Sequence, residues 1–222
     1  MKDNIVPNLF ANLFKNNHYP TIILVLIIAF VLSRLPIFTD KDQGSNSDLT
    51  TTGTSHQVKA FDGKDFSVFE KSTRYPFHFV SVSDGDTFRL SFEGKSFKVR
   101  LLVVNAPETA KADKPAQPWA QKAKERTEEL LSKAKVIEAS FDLGPYTDTY
   151  GRALLYVYVD GCLLQDILLE EGLVNAAYQH KPSVTLVPQM LESQAKAQKE
   201  FIGIWERPDY VTDHGFDVSV YD

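Results

Sequence analysis

The alternation of apolar and polar positions changes texture three times along the chain. Residues 22–32 form an unbroken apolar run, and the flanked stretch 19–38 is interrupted only by Pro20, Thr21, Ser33, Arg34 and Pro36. A bilayer core ~30 Å thick needs about 20 mostly apolar helical residues. The run therefore predicts a transmembrane helix across 20–38, with Arg34 reaching back to the interface. A secretory signal peptide has a similar apolar stretch. Ser33-Arg34-Leu35-Pro36 offers no small-x-small cleavage site, which favours an uncleaved anchor. The domain that follows such an anchor is expected outside the cytoplasm, and the protein is secreted if the segment is removed. Residues 39–74 are then polar and rich in Gly, Ser and Thr, the composition of a linker that cannot offset its ordering entropy.

From Tyr75 the pattern becomes that of a folded domain. Residues 77–82, 87–92 and 97–104 alternate with the period of strands, and Asp84-Gly85-Asp86 and Glu93-Gly94-Lys95 between them are turn signals. Residues 118–134 read as a helix with Pro118 at its start and Leu130 and Leu131 facing inward. Two more strands follow at 136–141 and 153–159, the second ended by Asp160-Gly161. A helix at 163–171 stops at Gly172, and a last helix at 187–202 stops at Gly203. This order predicts an α+β domain over 75–207, a five-stranded OB-fold β-barrel with three helices. It is preceded by the membrane segment (1–38) and the linker (39–74), and followed by an acidic tail (208–222).

Composition changes this picture in two ways. Cys162 is the one cysteine, so no intrachain disulfide framework or Cys-rich zinc site is available, and the five histidines have no zinc-ligand spacing. Burial is the expectation for Cys162. The net charge of -5 argues against a polybasic nucleic-acid coat. Most of it comes from the tail, where Asp209, Asp213, Asp217 and Asp222 face no base. Tyr210, Phe216 and Tyr221 equip that tail to dock on the barrel, while its charge favours a frayed end, and both readings stay open.

Four short elements carry candidate chemistry: Asp84-Gly85-Asp86-Thr87, Arg100-Leu101-Leu102, Asn105-Ala106-Pro107-Glu108-Thr109 and Asp148-Thr149-Tyr150-Gly151-Arg152. Singly, each has an ordinary explanation as a turn, a surface arginine or a helix start. Their order and spacing along the strand and helix pattern resemble the staphylococcal nuclease (thermonuclease) family. The resemblance runs from about Tyr75 to Arg207 and takes in Gly172-Leu173, Tyr178, Lys181-Pro182 and Ile204-Trp205. It implies a calcium-dependent phosphodiesterase acting on DNA and RNA with little sequence preference and leaving 3′-phosphate ends. It assigns Asp86, Asn105 and the Ala106 carbonyl to the metal. Arg100 and Arg152 match the arginines that grip the scissile phosphate, and Glu108 matches the glutamate proposed to activate water. Tyr150 and Tyr178 match residues of the nucleotide pocket, and His180 stands where a well-known member has a second tyrosine.

These roles suit the residues. Calcium takes oxygen ligands. A guanidinium presents paired donors to phosphate and stays charged. The backbone phosphate carries no sequence information, so loose specificity follows. Asn105 departs from the family's aspartate and removes one negative charge, which predicts weaker calcium binding. Thr149 replaces a phosphate-contacting lysine. A monomer acting on single-stranded or locally unpaired nucleic acid is expected. The alternative is a catalytically inactive OB-fold module that binds nucleic acid without cutting it.

Overall fold

A computed structural model describes residues 60–222. The anchor predicted over 20–38 and most of the linker lie outside the described residues. Among the described residues, no helix is long and apolar enough to cross a membrane.

The first three strands, β1 (Tyr75–Asp84), β2 (Thr87–Phe92) and β3 (Lys95–Leu101), form the antiparallel meander that the turn residues predict. The chain continues through β4 (Val104–Asn105), α1 (Ala120–Lys133), β5 (Ile137–Phe141), β6 (Ala153–Val159), β7 (Cys162–Leu163), α2 (Leu164–Glu170), β8 (Asn175–Ala176), α3 (Val187–Glu200), β9 (Val211–Thr212) and β10 (Gly215–Phe216). Hydrogen bonding orders the sheet β3-β2-β1-β5-β6, and a parallel pairing of β3 with β6, Val99 opposite Ala153 to Leu101 opposite Leu155, closes it. Five strands thus make a closed barrel with three helices. Alternation on β2 sends Phe88 and Leu90 into the core. β6 is buried on both faces, because α2 covers its outer side.

The third strand is shorter than its apolar run. It ends at Leu101, and a turn at Leu102 and Val103 precedes β4. Val103 has φ 65, a costly conformation for a β-branched residue. Burial of Leu102, Val103 and Val104 and the Leu102 N–H to Leu155 carbonyl bond (3.0 Å) hold it there. The turn takes β4 off the barrel to pair with β8, Asn105 opposite Asn175.

Part of the predicted linker belongs to the core. Phe61, Phe66 and Phe69 are buried and pack on Phe77, Phe92, Phe97 and Phe141, with ring centroids 5.1–6.2 Å apart. Asp65 caps a short 3-10 turn, Phe66–Val68, by accepting from the Ser67 N–H. Asp62, Gly63, Lys64 and Asp65 separate Phe61 from Phe66, and the stretch is too short and irregular to mark a strand or an α-helix.

The tail is docked. Tyr210 is fully buried, and its hydroxyl donates to the Pro118 carbonyl at 2.6 Å. Trp119 Nε1 donates to the Tyr221 hydroxyl at 2.9 Å. Cys162, expected buried, is exposed. It opens β7 just past the Asp160-Gly161 turn, and the strand alternation gives the inward place to Leu163.

Candidate active site

The β1–β2 turn is clamped from two sides. A Cβ added to Gly85 would lie 2.7 Å from the Cβ of Ala123 on α1 and 2.9 Å from that of Ala106. Only glycine lets these segments approach so closely. Thr127 on α1 donates its hydroxyl to the Gly85 carbonyl at 2.7 Å. The clamp holds Asp86 at 6% exposure. Its Oδ1 accepts from the Thr87 hydroxyl at 2.8 Å. Its Oδ2 accepts from the Ala106 N–H at 2.7 Å and pairs with Arg100 Nη2 at 3.2 Å. A carboxylate has about four lone-pair sites, so roughly one remains for a ligand.

Arg100 is set by the turn after β3. Its Nη1 donates to the carbonyls of Leu101 and Val104, both at 2.7 Å, tying together the two ends of that turn. The guanidinium is therefore a fixed part of the fold as well as a positive charge at the cleft. Arg152 is set by another turn. The Asp148 carboxylate accepts from the backbone N–H groups of Tyr150 and Arg152, both at 2.9 Å, and from Arg152 Nε at 2.6 Å. Burial alone would raise the Asp148 pKa. The hydrogen bonds from Arg152 and its charge outweigh that and hold it below the ordinary carboxylate range. Arg152 Nη1 reaches the Thr87 hydroxyl oxygen at 3.3 Å. One continuous chain of contacts, Arg152–Thr87–Asp86–Arg100, spans the site.

Glu108 follows β4, and its N–H donates to Gln117 Oε1 at 2.7 Å. Its carboxylate accepts from Lys111 Nζ at 2.6 Å, with both side chains more than half exposed. That bond first, and then the charges of Glu108, Asp84 and Asp86, raise the Lys111 pKa. Asp84 is closed off locally, accepting from the N–H and hydroxyl of Thr109. Tyr150 and Tyr178 are 83% and 61% exposed, each with an arginine near its ring: Arg152 at 5.4 Å from the Tyr150 centroid and Arg100 at 5.6 Å from that of Tyr178.

Asp86, Arg100, Asn105, Glu108, Tyr150, Arg152, Tyr178 and His180 line a single cleft of about 760 Å³. Ala106 is the exception. It is 2% exposed and does not line the cleft, and the contact it makes with the site is its N–H to Asp86. Sequence reasoning named no role for Thr87, Lys111 or Asp148. Thr87 and Asp148 stand inside the quoted motifs, but their contacts arise only when distant turns meet. Lys111 lies in a loop without pattern.

The cleft is close to electroneutral. Asp84, Asp86, Glu108 and Asp148 face Arg100, Lys111, Arg152 and Lys181. Among the described residues no group of three or more His, Cys, Asp or Glu side chains is placed to hold a metal ion. Oxygen atoms able to bind a cation line the cleft together with Asp86: its own remaining lone pair, the Asn105 side-chain carbonyl and the Glu108 carboxylate. That set fits a hard cation held by few protein ligands, with water and phosphate completing its shell. It does not fit zinc.

One cleft of this barrel brings together carboxylate, carboxamide and two guanidinium groups. Residues 98–207 match the model of the staphylococcal nuclease homologue family. The chain is 32% identical over 208 residues to "Endonuclease YncB" of Bacillus subtilis (strain 168), covering 89% of this chain and 98% of that protein. It is 40% identical over 137 residues to the "SPbeta prophage-derived endonuclease YokF" of the same organism, covering 62% of this chain but 46% of that longer protein. It is 35% identical over 126 residues to the "Thermonuclease" of Staphylococcus intermedius, covering 57% of this chain and 73% of that protein. The chain belongs to the staphylococcal nuclease homologue family, and its class is that of a nuclease-type hydrolase.

Proposed function

We propose that the chain is a calcium-dependent phosphodiesterase that cleaves DNA and RNA with little sequence preference and leaves 3′-phosphate ends. The observation that carries this reading is the contact chain Arg152–Thr87–Asp86–Arg100, which puts two guanidinium groups and one incompletely satisfied carboxylate in the same cleft as Glu108. Arg100 supplies a rigid positive charge. Arg152 can turn its remaining donors to a phosphate oxygen while Asp148 holds its Nε. Asp86 and Asn105 would hold calcium, which when bound supplies charge neutralisation at the phosphate. Glu108 would take the proton of the attacking water, which requires that it exchange its Lys111 partner for that water. Tyr150 and Tyr178 offer exposed rings to border the nucleotide.

The reading includes a monomer held at a membrane by residues 20–38, with its nuclease domain outside the cytoplasm. The apolar run at 22–32 supports the anchor.

A second reading, a binding module that does not cut, draws on the Glu108–Lys111 ion pair and on Asn105. One experiment separates the two. The intact protein is incubated with single-stranded DNA in calcium or chelator, beside Asp86→Ala and Arg152→Ala. Calcium-dependent cutting lost in both variants supports the enzyme. Binding without cutting in calcium supports the module.

A further inference from the structure

Thr87 and Arg100, which line the catalytic cleft, stand opposite each other on β2 and β3. Side chains alternate between the faces of a strand, so the pair two residues further along shares their face. That pair is Arg89 and Lys98, again directly opposite each other. The intervening residues Phe88, Leu90, Phe97 and Val99 are buried in the barrel. Arg89 and Lys98 are therefore on the outside, Arg89 half-buried and Lys98 exposed. They are not part of the cleft lining, but they follow Thr87 and Arg100 after about 7 Å of strand. Arg152 is close in register too. Lys98 and Arg152 immediately precede the Val99–Ala153 pair at which β3 and β6 join.

This row of cations has an electrostatic cost. Like charges directly opposite each other on neighbouring strands destabilise a sheet. Elsewhere on the domain cations are neutralised: Arg126 by Glu129 and Glu171, Lys196 by Glu170, Lys111 by Glu108 and Arg152 by Asp148. Among the described residues, neither Arg89 nor Lys98 has such an ion pair. Arg89 has neutral partners, donating from Nε to Ser96 Oγ at 3.1 Å and from Nη2 to the Ser96 carbonyl at 3.4 Å. From Thr87 to Arg100 the hairpin carries four bases, Arg89, Lys95, Lys98 and Arg100, against one acid, Glu93 at its tip. Lys95 is out of phase with this face. The acids at the cleft end of the row are already engaged, Asp84 with Thr109, Asp86 with Arg100 and Asp148 with Arg152. Unpaired cations in line with the two arginines of the cleft are complementary to a polyanion that already has one phosphate there.

We propose that the outer face of the β2–β3 hairpin is a track for the nucleic-acid strand. On it, Arg89 and Lys98 contact the phosphate that flanks the one held by Arg100 and Arg152. The inference rests on the nuclease reading above and extends the substrate contact beyond the cleft. It supplies the net positive charge that the nearly electroneutral cleft lacks. Its contacts are to the backbone, so the track adds affinity for longer strands without adding sequence preference.

The test is steady-state cutting by the intact protein in calcium, over a range of salt concentrations. The substrates are a single-stranded dodecanucleotide and a dinucleotide, which has a single phosphodiester. Lys98→Gln and Arg89→Gln each remove one charge and no contact within the cleft. In each, kcat/KM for the dodecanucleotide should fall about three- to tenfold at low salt, through a higher KM with kcat unchanged. The slope of log KM against log salt should become shallower by about 0.7 per variant. Cutting of the dinucleotide should be unchanged, and Lys98→Arg should behave as the native protein. The melting temperature of Lys98→Gln should not fall, because the substitution relieves a repulsion. An unchanged dodecanucleotide KM and salt slope in both variants, or a loss that appears in kcat or equally on the dinucleotide, overturns the track and leaves the nuclease reading intact. No calcium-dependent cutting of the dodecanucleotide by the native protein overturns both.

Discussion

The Thr87 hydroxyl has one proton, and it is donated to Asp86. Its lone pairs are then left facing Arg152, so this single group fixes the Asp86 carboxylate and the Arg152 guanidinium relative to each other. Thr87→Val keeps the shape and removes both bonds. Hydrogen bonds to charged groups contribute ~1.5–3 kcal/mol to stability, so the melting temperature should fall, and kcat/KM measured well below it should fall as well, because Asp86 and Arg152 lose their shared anchor. Thr87→Ser should restore most of the activity. Asn105→Asp should lower the calcium concentration needed for half-maximal cutting, because it adds the missing negative charge beside Asp86. A titration reads it directly. Asp148 makes a pH-dependent contribution. Its folded-state pKa is depressed, so the stabilisation it gives is present above the unfolded value of 3.8 and is lost as pH falls through the lower folded value. The melting-temperature difference between the native protein and Asp148→Asn should therefore hold steady from about pH 8 to pH 5 and close below 3.8. These three contacts were partly legible. The residue types stand in motifs that read as phosphate chemistry, but which hydroxyl meets which carboxylate depends on turns separated by tens of residues.

At the scale of elements, local chemistry foretold most of the barrel. Asp84-Gly85-Asp86 and Glu93-Gly94-Lys95 are turns, and the period-2 runs beside them are strands. The turn at Leu102 and Val103 was not legible, because four apolar residues in a row carry no mark of where a strand stops. That turn is nevertheless what aims Asn105 and Glu108 at the cleft. Gly85 links element to site. Its backbone has no need of a left-handed φ, and it is required because α1 and Ala106 leave no room for a Cβ. Gly85→Ala should cost about 1–3 kcal/mol of stability, measured by urea unfolding. It should also reduce activity beyond that loss, since relieving the clash moves Asp86.

At the scale of the whole molecule, the folded unit extends beyond both ends of the predicted 75–207 domain. Phe61, Phe66 and Phe69 fill one end of the core, and Tyr210 with Tyr221 seals the side near Trp119. A chain starting at Tyr75 should be much less stable than one starting at Ala60. Phe69→Ala alone should cost ~3–5 kcal/mol, read as a drop in the denaturation midpoint with an unchanged slope. The tail's four aspartates dominate the net charge without making it a solvated end, because Tyr210 is buried and Phe216 and Tyr221 are half-buried while the acids stay outside.

Amino-acid order by itself determined the strand and helix succession, the turns, and the set of residues able to handle a phosphate. Those properties come from nearest neighbours along the chain: side-chain alternation, turn propensity and functional-group chemistry. Only the tertiary structure decided that Phe61, Phe66 and Phe69 are core, that Lys111 holds Glu108, and that the tail docks beside Trp119. Each of those depends on segments remote in sequence meeting in space, and the energy that selects them is the burial and pairing available only once the barrel has closed.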